Sequence, residues 1–143
     1  MLLVLSLHAR AEFLIGLANI ANLTGPNLEW AGDHSSYYFV PAFEQKSTGL
    51  SEDDFRWIAG MRHRMERGYT STNGFYTGLI AGDLGGKNDY SRLGAGAELG
   101  YQWVKQYTRI TVGSSLIMLE AIPEEDLKEE PSVVLGITLS LRK

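Results

Sequence analysis

Cysteine is absent from the 143-residue chain, which excludes disulfides and thiolate metal sites. Basic charge is also short: 13 Lys and Arg against 17 Asp and Glu give a formal net charge of −4. Nucleic-acid partners call for a basic face, so none is expected. Proline is scarce, at 4 residues. Long apolar runs are missing too, and no stretch approaches the ~20 residues of a membrane-crossing helix. The longest is at the start, MLLVLSLHARAEF, where the apolar segment Leu2–Leu7 precedes the small-x-small pattern Ala9-Arg10-Ala11. That pattern reads as residues 1–11 of a signal peptide whose own start is truncated, with His8 lost on cleavage. Residues 12–143 then form a single domain.

The chain does have glycine (16 residues), a 10% aromatic content, and alternation with a period of two. In residues 54–66, Phe55, Trp57, Ala59, Met61 and Met65 share one face. Arg56, Gly60, Arg62, Arg64 and Glu66 share the other, where Ile58 is the only large apolar intruder. Residues 91–103 set Leu93, Ala95, Ala97, Leu99, Tyr101 and Trp103 against Arg92, Gly94, Gly96, Glu98, Gly100 and Gln102. Residues 108–119 and 132–143 alternate in the same way. Sustained alternation is the strand signature. Segments this long exceed the usual 5–6 residues of soluble strands and suit tilted membrane strands of about 9–11.

Less regular strands are expected at 12–22, at 35–46 (where Pro41 sits awkwardly) and at 73–84. Turn chemistry marks connectors at 24–27, 32–36, 47–53, 67–73, 84–89, 104–106 and 121–131. This gives seven strands. A closed barrel of this kind takes at least eight, so the short Leu28–Asp33 segment has to supply the missing one.

A soluble sheet and a membrane barrel both alternate, with opposite faces turned to the core. Three features favour the barrel. Glycines share the charged face, where they make room for long side chains in a narrow lumen. The lumen network is expected to comprise Arg56, Arg62, Arg64, Glu66, Arg92, Glu98, Gln102 and Arg109, each charge needing a partner. Trp57, Tyr101 and Trp103 lie near strand ends on the apolar face, as membrane-interface aromatics do. Long and tight connectors alternate over the C-terminal half.

GFYTGLIAGDL followed by GAELGYQWV resembles strands of small Gram-negative outer-membrane barrels, the OmpA-like and OmpW-like barrels and related barrels of unknown function. The resemblance covers roughly residues 73–120. Such barrels usually end in an aromatic residue, whereas this chain ends Leu141-Arg142-Lys143. The resemblance implies an all-β, eight-stranded antiparallel transmembrane up-and-down barrel in the cell outer membrane. Membrane lipid and lipopolysaccharide would be its partners, with an envelope protein as a further one.

Catalysis is weakly signalled. Asp33, His34 and Ser36 supply the residue types of acyl hydrolysis, and some small barrels modify lipid A as acyl hydrolases or acyltransferases. All three are also common turn residues. The acidic connector holds Glu124, Glu125 and Asp126, an oxygen-rich set without calcium-loop spacing, so neither a metal nor a cofactor is expected. The preferred expectation is a non-enzymatic outer-membrane barrel whose lumen is plugged by an Arg–Glu network. The alternatives are a lipid A enzyme and a soluble lipocalin-like binding barrel.

Overall fold

The computed structural model describes residues 11–44, 55–68, 71–84, 92–121 and 130–141. Eight strands follow one another: β1 (Glu12–Ile20), β2 (Leu23–Ala31), β3 (Ser35–Glu44), β4 (Phe55–His63), β5 (Gly74–Asp83), β6 (Leu93–Lys105), β7 (Thr108–Leu119) and β8 (Glu130–Leu141). Each pairs antiparallel with its chain neighbour, and β1 pairs with β8, so the sheet closes into an up-and-down barrel. β1 starts and β8 ends at one rim, termed lower here. β2, β4 and β6 also end at that rim, where β3, β5 and β7 begin; the other strand ends lie at the upper rim.

Alternation explains both faces. Arg56, Ile58 and Arg62 of β4 are buried inside the barrel, while Phe55 and Trp57 are exposed on its outer wall. In β7 the pattern of exposed and buried residues alternates from Arg109 to Leu119.

The N-terminal part departs from the expected layout. Thr24–Asn27 is not a turn: it lies within β2, which pairs with β1 from Ile20↔Leu23 to Glu12↔Ala31. The reversal is made one step earlier by Ala21 and Asn22, both at positive φ (55° and 64°). Two consecutive left-handed residues are what a two-residue hairpin turn requires. The Thr-Gly-Pro-Asn composition misleads because each residue has a strand role. Gly25 lets the backbones approach, since a Cβ there would lie 2.0 Å from the Pro41 carbonyl oxygen. The β2–β3 ladder stops at Thr24↔Phe43 and resumes at Leu28↔Phe39, which puts Pro26 opposite Pro41. Two residues without an N–H thus share one interruption. The eighth strand is therefore all of Leu23–Ala31, long enough to cross the barrel wall, and not Leu28–Asp33 alone.

Candidate functional site

The interior is layered. An apolar layer crosses its upper half, built from residues such as Ile20, Val40, Ile58, Ile80, Ile117 and Leu119, beneath the buried Arg56, Asp83 and Arg92 of the upper rim. This layer explains Ile58, the intruder on the charged face of its strand. The interior thus holds a hydrocarbon layer as well as the expected buried Arg–Glu ion pairs.

Below it lies an Arg–Glu–Tyr–Tyr box. Arg62 reaches Glu98 through Nε (3.3 Å to each carboxylate oxygen) and Nη2 (3.1 Å). Tyr38 and Tyr76 donate their hydroxyls to the same carboxylate at 3.1 and 2.9 Å. The Arg62 guanidinium also lies over both rings, 4.2 Å and 5.1 Å from their centroids. Cation–π contact adds to charge-assisted hydrogen bonding here.

The glycines explain how so much fits. Arg62 pairs in register with Gly78, and Gly78 with Glu98, so no side chain stands between the ion partners. A Cβ on Gly60 would come 2.4 Å from the Tyr38 ring. A Cβ on Gly100 would come 2.4 Å from the Tyr76 ring.

Nearer the lower rim, Arg109 is bonded to Glu29, both fully buried. Asn27 bridges from Glu29 (3.4 Å) to Ser140 (3.3 Å), with Gly16 of β1 between them in register. Arg64 binds the β4–β5 connector, donating to the Thr72 carbonyl (2.7 Å) and hydroxyl (2.8 Å) and to the Asn73 carbonyl (2.9 Å). Gln102 donates to the same Thr72 carbonyl at 2.8 Å. At the upper rim, Arg56 pairs with Asp83 at 3.3 Å. Arg92 donates from its backbone to Asp83 (3.1 Å) and from Nε to the Glu120 carbonyl (2.9 Å).

The structure therefore gathers Arg56, Arg62, Arg64, Arg92, Glu98, Gln102 and Arg109 inside the barrel. Glu66 is not among them. It lies in the β4–β5 connector with its side chain 79% exposed, 3.4 Å from Arg64. Glu29 and Asp83 supply carboxylates that sequence reading misses.

On the outer wall, Trp57 stands toward the upper rim, opposite Pro41. Tyr101 and Trp103 stand toward the lower rim, with ring centroids 4.8 Å apart, and Phe75 lies 4.9 Å from Tyr101. A second lower-rim group, Phe13, Trp30 and Tyr37, lies side by side across β1, β2 and β3.

Asp33, His34 and Ser36 do not meet as a triad. Asp33 is exposed, Ser36 is buried inside the barrel, and His34 Nδ1 lies 3.3 Å from the Arg64 carbonyl. Ser35, one residue earlier, is the serine bonded to a histidine: its Oγ is 2.7 Å from His63 Nδ1. Glu124, Glu125 and Asp126 lie outside the described residues. Among the described residues no three His, Asp or Glu side chains gather as a metal cluster. Compared with family models, with curated proteins and with solved structures, the chain matches none.

Proposed function

We propose that the chain is a transmembrane barrel of the cell outer membrane, serving as a non-enzymatic wall element that meets envelope or external partners through its connectors. One observation carries this reading: the distribution of polarity is inverted relative to a water-soluble protein. Arg62, Arg109, Glu29 and Glu98 are buried inside. Leu17 (62% exposed), Trp30 (62%), Leu116 (60%) and Leu135 (71%) face outward. Among the described residues, no outward-facing strand position holds Asp, Glu or Arg, and the outward His63 and Lys105 each end a strand at the lower rim.

An exposed apolar surface of this extent marks an interaction with membrane or protein. Here it encircles the barrel, which fits lipid better than a single docking partner. The dimensions agree: a 9-residue strand such as β4 covers about 23 Å of height at a rise of about 3.3 Å per residue and a tilt of about 40°, against an apolar band of about 25 Å. Aromatic groups toward both rims fit the interfacial girdles of such barrels. A lipocalin-like barrel would carry its charges outside and an apolar cup inside.

Membrane fractionation combined with gel mobility before and after boiling tests the reading. The protein is expected in the outer-membrane fraction, with a folded form that migrates differently from the boiled one. A protein that stays monomeric in the aqueous fraction without detergent would refute it.

A further inference from the structure

Toward the lower rim the interior holds polar atoms that the ion pairs leave unmet. Asn27 Oδ1, Glu29 Oε1, Thr111 Oγ1 and Thr138 Oγ1 are buried and find no hydrogen-bond partner among the described residues. They share one stretch of the inner wall. Thr111 pairs with Thr138 across β7–β8. Ser140 stands next along the same face of β8, and Asn27 donates to its hydroxyl at 3.3 Å. Glu29 follows Asn27 on the inner face of β2 and accepts from Asn27 and Arg109 on its other oxygen, Oε2. Turning the Asn27 amide over would set its oxygen against that carboxylate, so the opposite orientation is worse. A buried polar atom left without a partner is costly, most of all on a charged group.

The wall beside this stretch has the same need. Pro26 and Pro41 face each other across β2–β3, and neither can donate to the other's carbonyl. The Pro41 carbonyl oxygen is turned toward β2, where it stands 2.0 Å from the position of a Cβ on Gly25.

We propose that ordered water molecules occupy this polar layer, bridging Asn27, Glu29, Thr111 and Thr138 and reaching the Pro26–Pro41 gap. Water meets both demands of the site. It donates to carboxylate and carbonyl oxygens and accepts from hydroxyls, making about three hydrogen bonds in a typical protein interior. A cation in its place would meet the Arg109 guanidinium, and an anion would meet the Glu29 carboxylate. Leu14 and Ala31 pack together on the lower-rim side. Ala18, which pairs with Thr138, belongs to the apolar layer above. Hydrocarbon thus bounds the polar layer on both sides, a setting that retains small polar molecules and slows their exchange. The proposal concerns the interior alone and holds whatever the outer wall meets.

A high-resolution crystal structure of the whole folded chain tests this directly. Water is expected within about 2.7–3.2 Å of Glu29 Oε1 and of the Thr111 or Thr138 hydroxyl. A Glu29 Oε1 with no water beside it would overturn the proposal. Unfolding equilibria supply an independent sign. With water present, Thr111→Val and Thr138→Val each remove a hydrogen bond and should lower the folding constant about 2–10-fold. In a dry interior the same changes remove an orphaned hydroxyl, and the folding constant should hold or rise. Parent-like or higher values for both variants would therefore overturn the proposal as well.

Discussion

Arg62 reaches across Gly78 to Glu98, and the two tyrosines that flank its guanidinium donate to the same carboxylate. Both charges sit in a closed interior, so removing one takes an ionic partner from the other. Glu98→Ala should therefore destabilise the barrel by about 3–5 kcal/mol, the usual cost of removing one member of a buried ion pair. Chemical unfolding followed by tryptophan fluorescence measures it. The paired change Arg62→Met with Glu98→Leu should cost less than Glu98→Ala alone. A Glu98→Ala midpoint equal to the parent's would contradict this account of the box.

The glycines of the inner face are not equivalent. At Gly100 a Cβ would lie 2.4 Å from Tyr76 and 2.6 Å from the Val112 carbonyl oxygen. At Gly136 the nearest atom is Ile20 Cγ1 at 3.1 Å, on a side chain that can shift. Gly100→Ala should cost about 1–3 kcal/mol through overpacking, and Gly136→Ala should stay within about 1 kcal/mol of the parent. Equal losses in the same unfolding assay would remove the distinction.

The layered interior separates two barriers to ion flow. If the chain spans a bilayer as proposed, the parent should be closed in planar-membrane recordings. Arg62→Gln with Glu98→Gln should remain closed, because the apolar layer above is intact. Ile58→Ser with Ile80→Ser and Ile117→Ser should raise the current at least several-fold, since hydrophobic constrictions block by excluding water. Conduction by the Arg62/Glu98 variant alone would show that hydrocarbon is not the barrier.

Much of this architecture is legible in the chain. Residues 54–66, 91–103, 108–119 and 132–143 alternate strongly enough to identify strands, and their glycine-plus-charge faces point to a crowded polar interior. The N-terminal hairpin is not legible. Ala21-Asn22 lacks the Asn-Gly type of signal, while Gly25 and Pro26 have turn-like identities but serve a close strand approach and a shared ladder gap. That error conceals Glu29, and with it the partner of Arg109. The apolar layer is hidden for a different reason. It is assembled one or two residues per strand, from Ile20, Val40, Ile58, Ile80 and Ile117, and no single strand reveals it. Asp83 escapes notice because it ends its strand, where alternation no longer predicts direction.

The facing prolines Pro26 and Pro41 have a mechanical consequence. The β6–β7 ladder runs unbroken from Gly94↔Leu119 to Lys105↔Thr108, whereas the β2–β3 ladder is interrupted midway and the β4–β5 ladder covers only Ile58↔Gly82 to His63↔Thr77. Stiffness is thus uneven around the circumference. Elastic deformation of the barrel, from circular toward elliptical, should concentrate at the β2–β3, β4–β5 and β1–β8 seams, the last paired over six positions only, with β6–β7 as the stiffest seam.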